Sequence, residues 1–249
     1  MRRSVLVLAL SLVAAAAVAQ EYERVMLPIA PMTLECNYHS RYDVALVLYN
    51  GSDHAIARPC DGCAPLAAKS SMEITRSDVP APAPQYLYLP ASEAGSLRLL
   101  LQAASGNMGE SDADARFFTE LPVVRDSDFR SGKTEFVGVR VDPNWRQALR
   151  IYGADGRTSV DVVMRVYSMS TGALLSEETY RAVPVAGANA IGFDAAPSFT
   201  MECDLSEHEE LIGQTVRVEL EPTDPATRYW AFMAVASNRT QHFYTLMPK

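Results

Sequence analysis

Positive charge is scarce in this chain: 22 Lys and Arg stand against 30 Asp and Glu, a net charge of −8. Binding a phosphate backbone calls for clustered Lys and Arg, so nucleic acid is not an expected partner. The motifs of several reaction chemistries are also missing, because no Gly-x-Ser-x-Gly, no phosphate-cradling glycine loop and no His-Glu-x-x-His occurs. Histidine is limited to positions 39, 54, 208 and 242, and these form no nucleophile–base pair that sequence alone justifies. A non-enzymatic protein without a cofactor is therefore expected. Beyond residue 20 every apolar run is broken by Arg, Asp, Glu or Pro, short of the about 18 residues a bilayer crossing needs. The mature chain is expected to have no membrane span.

What is present begins with MRRSVLVLALSLVAAAAVAQ, in which Arg2 and Arg3 precede an apolar run from Val5 to Val18 and a small-residue Ala17-Val18-Ala19. This is the layout of a secretory signal peptide with cleavage after Ala19. Losing residues 1–19 takes two arginines with it and moves the net charge from −8 to −10. Export to the periplasm or the extracellular space is the expectation.

Alternation with period two runs through most of the remainder, while the helical period is nearly absent, which predicts an all-β fold. In Thr215 to Glu221, Val216, Val218 and Leu220 face one way and Arg217, Glu219 and Glu221 the other. Leu97, Leu99 and Leu101 form a similar row. Two runs, Asp43 to Tyr49 and Tyr229 to Val235, are apolar on both faces and predict strands covered on both sides. Turn signals separate the strands at sandwich spacing: Asn50-Gly51, Ala154-Asp-Gly-Arg157 and Ser170-Thr-Gly172. Only Leu205 to Ile212 reads as a helical turn. The polar SGNMGESDADAR stretch points to a boundary near residue 120, giving two immunoglobulin-like or jelly-roll-like β-sandwich domains, 20–120 and 121–249, after the signal peptide at 1–19. The strand holding Leu121 to Val124 fits either half.

Four cysteines, at 36, 60, 63 and 203, read first as two disulfides in an exported chain. In Cys60-Asp-Gly-Cys63 the ends of a β-turn fall within disulfide range, and Gly62 supplies any positive φ the turn needs. Cys36 then meets Cys203 by elimination. A rival Cys36–Cys60 bond closes a 25-residue loop, a constraint of about 3.5 kcal/mol by loop entropy. Zinc is a sharper alternative, since Cys36, His39, Cys60 and Cys63 form a three-thiolate, one-imidazole set with knuckle-like spacing. Export weighs against it. A catalytic dithiol would require a helix beginning at the first cysteine to lower its pKa, and Pro59 and Pro65 leave no such start.

Other side chains invite weaker readings. Five carboxylates flank His208 between Glu202 and Glu210, but the run matches no calcium-loop spacing and reads as a solvated acidic turn. Among the aromatics, Trp145, Tyr38, Tyr42 and Tyr86 are candidates for exposed ligand contact, with packing across the domain joint as the alternative for Trp145. Trp230 and Phe232 sit mid-strand and are expected in the core. Asn50-Gly-Ser52 and Asn238-Arg-Thr240 are formal glycan-acceptor triplets.

At the C-terminus, Tyr229-Trp-Ala-Phe-Met-Ala-Val-Ala-Ser-Asn238-Arg-Thr-Gln-His242 followed by Thr245-Leu-Met-Pro248 resembles a pattern in exported bacterial β-sandwich proteins of no known activity. Glu120 to Arg130 and Leu149 to Tyr152 look similar to the same group. The resemblance implies a sandwich and export, and it carries no catalytic residues. Within it, Ser237 to Gln241 reads as a loop in which Asn238 takes a left-handed conformation. The sequence as a whole leads to an exported binding, adhesion or structural module that meets another surface protein, with a carbohydrate-binding module and a glycan partner as the second reading and a zinc or redox protein as the third.

Overall fold

β-branched and aromatic residues at alternate positions suit a pleated, half-buried surface, and among the described residues sixteen strands form where that pattern runs. The computed structural model describes residues 22–36, 40–60, 62–75, 84–107, 117–185, 197–202 and 205–249. Its strands are β1 (Tyr22–Leu27), β2 (Thr33–Cys36), β3 (Ser40–Asn50), β4 (Ser71–Ile74), β5 (Gln85–Pro90), β6 (Leu97–Asn107), β7 (Phe117–Leu121) and β8 (Val124–Arg125) in the first half. The second half holds β9 (Thr134–Arg140), β10 (Trp145–Gly153), β11 (Val160–Ser168), β12 (Leu174–Ala182), β13 (Ser198–Glu202), β14 (Thr215–Pro222), β15 (Tyr229–Ser237) and β16 (Phe243–Leu246). Among the described residues all strand pairings are antiparallel and fall into four sheets. The protein is all-β.

The first sheet runs β5-β1-β8 and the second β2-β3-β6-β7, with β4 also on β3. The third runs β13-β10-β15-β16 and the fourth β12-β11-β14-β9. Leu121 pairs with Leu101 and Val124 with Met26, so the stretch on either side of residue 122 joins the sheets of the first half. Leu205 to Ile212 forms two single turns of 3₁₀ helix, Leu205–Glu207 and Glu209–Leu211, the helical turn its sequence predicts. With only three residues in each piece, neither turn completes the hydrogen-bond ladder an α-helix needs.

Two apolar clusters hold these sheets together, and the third sheet serves both. On β15, Tyr229, Ala231, Met233 and Val235 join Leu149, Ile151, Met164 and Val218 between the third and fourth sheets. The alternate residues Trp230, Phe232 and Ala236 join Tyr152 and Phe243 in a cluster with Val25, Leu46, Leu87 and Leu101 of the first half. A strand buried on both faces loses its polar alternation, which is why Tyr229 to Val235 reads as one apolar run. Gly153, at the end of β10, marks how tightly this sheet is packed: a Cβ there would stand 2.6 Å from Val160 Cγ2.

The other two-faced run does not behave as the pattern predicts. On β3, Val44, Leu46 and Leu48 are buried, but Ala45, Val47 and Tyr49 are part-exposed. No described layer covers the outer face of the second sheet. Small and β-branched residues are compatible with such a face, so apolar character alone overstated the cover.

Candidate functional site

The loop from Gly51 to Ser70 is built around one buried amide. Asn50 is fully buried, and its Nδ2 donates to the carbonyls of His54 (2.8 Å), Ala67 (3.0 Å) and Leu66 (3.3 Å). Its Oδ1 accepts from the Ser52 backbone N–H at 2.9 Å and the Ser52 hydroxyl at 2.7 Å. Asn50 is therefore the keystone of the loop, and its nitrogen is not presented for glycan attachment. Inside the loop Ile56 and Leu66 pair and enter the first core together with Cys60.

Cys60 and Cys63 form a disulfide across a turn with Cα atoms 5.2 Å apart, and Gly62 takes φ +71° as its position requires. The Cys63 N–H donates to the Cys60 carbonyl at 3.2 Å, so a reverse turn stands where a redox motif would start a helix. The bond overturns a Cys36–Cys60 pairing and takes two thiolates out of the zinc set of Cys36, His39, Cys60 and Cys63. Cys36 ends β2; its side chain, with Tyr38, His39 and Cys203, lies outside the described residues.

Tyr42 and Tyr86 are held where the two halves meet. Tyr86 is 3% exposed, its hydroxyl donates to the Ala154 carbonyl at 3.0 Å, and burial pushes its phenol up to about 12. The expectation of an exposed Tyr86 ring is thus corrected: β5 lies against the first core, and the Arg24 guanidinium stands 4.4 Å over the ring. Arg24 and Arg228 both reach Asp126; burial raises that carboxyl, and the two guanidiniums more than offset it, leaving its pKa below the usual range. At the opposite end Arg146 donates to the Tyr42 hydroxyl (2.8 Å), Gln241 Oε1 (2.7 Å) and Asn238 Oδ1 (2.8 Å). Between these ends the buried Tyr152 hydroxyl donates to the Pro28 carbonyl at 3.1 Å. Asn238, whose Nδ2 also donates to the Pro143 carbonyl, has no positive φ; Gln241 takes the left-handed position at φ 60° and closes the loop onto Ser237. That corrects the expectation for Asn238. Its side chain is engaged in bridging the β9–β10 turn, and the sharp bend falls to the end of the loop.

Trp145 opens β10 part-exposed, with its ring 6.3 Å from Tyr244 and packed against the second core. It does not lie across the joint between halves. The acidic turn sets His208 Nδ1 3.7 Å from Glu210 and 3.8 Å from Glu178. Among the described residues no group of three or more His, Cys, Asp or Glu is arranged to hold a metal. On the outer face of the fourth sheet, Glu219 is 6% exposed beside Lys133 (3.1 Å), Arg217 (2.9 Å) and Arg165 (3.5 Å). Burial raises the Glu219 carboxyl, and Lys133 and Arg217 bring it below the usual range. Arg165 continues the ladder to Glu177 and Glu221, both at 2.6 Å. The Arg165 pairs cross from β11 to β12 and β14, and together these charges satisfy one another, an arrangement for holding strands together rather than for proton transfer.

Among the described residues, the outer face of the second sheet carries an open depression. Cross-strand register sets Thr33, Asp43, Ala104 and Phe118 in one row and Ala45, Gln102 and Glu120 in the next. Ala45 and Ala104 are small, so the middle sinks between Phe118 on one side and Thr33 and Asp43 on the other. The depression measures about 580 Å³ and extends to Val47, Glu73 and Thr75. Phe118 is 68% exposed, the most exposed large apolar side chain among the described residues. Sequence reasoning missed it, yet a signal was present: Phe118 alternates with Thr119 in a short strand, so the two side chains fall on opposite faces. No family model, no curated protein and no solved structure matches this chain.

Proposed function

We propose that this is an exported, non-catalytic binding module, acting at the cell surface or in the periplasm of a bacterium, and that the outer face of the second sheet is its contact surface. The observation that carries the reading is the depression of about 580 Å³ on that face, a volume in the roughly 300–1,000 Å³ range of ligand sites, walled by an exposed phenylalanine. Support comes from the scaffold beneath it. β3 and β6 pair over eleven residues, and their inner side chains Val44, Leu46 and Leu101 are locked into the first core, so the face is preorganised. The signal-like first nineteen residues and the Cys60–Cys63 disulfide are both in keeping with an oxidising, exported setting.

The test is a sedimentation assay on envelopes of the producing bacterium, using mature protein and Phe118→Asp. Wild type should pellet with the envelopes and Phe118→Asp should stay in solution at an unchanged melting temperature. Equal pelleting of the two, or none by either, would contradict the reading.

A further inference from the structure

We infer that the ligand of this face is a neutral oligosaccharide, an inference that rests on the binding-module reading. A pyranose ring has an apolar C–H face and a rim of vicinal hydroxyls, each both donor and acceptor. The depression matches both. Phe118 offers an exposed π-face for the C–H side, about 10 Å from Asp43 by two strand spacings, with alanines as the floor between them. Gln102 supplies an amide that both donates and accepts, and Thr75 a hydroxyl. Asp43 is an oriented acceptor, fixed by the Thr33 hydroxyl at 2.7 Å and the Arg41 guanidinium at 3.4 Å.

The charges on the face separate this ligand class from its rivals. An anion would meet Asp43 and Glu73. A small cation would find Asp43 already shared with Arg41, and Glu73 and Glu120 stand about 14 Å apart across three strand spacings, too far to close on it together. A wholly apolar ligand would strip water from two carboxylates without replacing their hydrogen bonds. A ligand rich in hydroxyls and without charge meets none of these costs. With one aromatic platform rather than a row of them, binding should be weak and near-millimolar, as expected of a site relying on shallow contact.

Phe118→Trp in the mature full chain places a fluorescent ring on the site, with the unsubstituted protein as the background for Trp145 and Trp230. The probes are cellotriose, xylotriose, maltotriose and chitotriose, set against spermidine and a lysine-rich peptide. The expected result is a saturable emission change with at least one trisaccharide, weakened about tenfold by adding Gln102→Ala, and none with the two cations. A change with spermidine or the peptide alone would overturn the oligosaccharide while leaving the binding face in place. No change with any probe would overturn the oligosaccharide, and if Phe118→Asp also pelleted with envelopes like wild type, the binding face would fall with it.

Discussion

Phe232 and Phe118 are the same residue type in opposite situations, and they set the residue-scale expectations. Phe232 is fully buried between Tyr152 and Trp230, with ring centroids at 6.3 and 5.4 Å. Its replacement by alanine should cost about 3–5 kcal/mol in chemical denaturation. Phe118→Ala should stay within about 0.5 kcal/mol of wild type. The core role of Trp230 and Phe232 was legible from their mid-strand positions, whereas that of Tyr86 was not, because its hydroxyl's partner, the Ala154 carbonyl, lies 68 positions away. Charge makes a second residue-scale expectation. Glu219 and Asp126 have folded pKa values below their ordinary ones, so they bind fewer protons folded than unfolded near pH 4. The stability they contribute is full above about pH 4.5 and is lost as pH falls through their folded values. Melting temperature should fall below pH 4.5, and Glu219→Gln should flatten that fall. An unchanged acid limb in this variant would contradict the role given to its ion pairs. Tyr86 has the opposite sign: its phenol is raised to about 12, so its contribution is present below pH 10 and lost as pH rises toward 12.

Strands and loops show what sequence pattern can and cannot fix. Alternation located β14 and its two faces, with Val216, Val218 and Leu220 buried, because a single strand's period needs no knowledge of its neighbours. Whether an apolar outer face is covered depends on a layer supplied from elsewhere in the chain. That is why Tyr229 to Val235 and Asp43 to Tyr49 look alike in sequence and differ in burial. The Gly51–Ser70 loop repeats the point: its turn glycine and its short disulfide were visible as spacing, and the central place of Asn50 was not. Asn50→Ala should cost about 1–3 kcal/mol by leaving the carbonyls of His54, Leu66 and Ala67 short of a donor. The Cys60→Ser/Cys63→Ser double variant should cost about 2 kcal/mol, the loop-entropy value for so small a ring. Both are read by urea denaturation. A cost near zero for Asn50→Ala would mean that the loop is held by its β-bridge and disulfide alone.

The whole molecule is organised by its third sheet, one face of which belongs to each core. The polar stretch before residue 117 marked a change in chain character, and sequence offered no way to see that β10 and β15 would also pack back onto the first half. Polar clamps reinforce that packing at both ends, through Asp126 on one side and Arg146 on the other. Packing of this kind holds the second sheet from its inner side, which is what a preorganised binding surface needs. Sharing of the third sheet between two cores is the claim on which the rest depends, and scanning calorimetry of the mature protein tests it most directly. The account predicts one transition whose calorimetric and van't Hoff enthalpies agree, shifted as a whole by Phe232→Ala. Two separate transitions, with only one of them moved by Phe232→Ala, would contradict it.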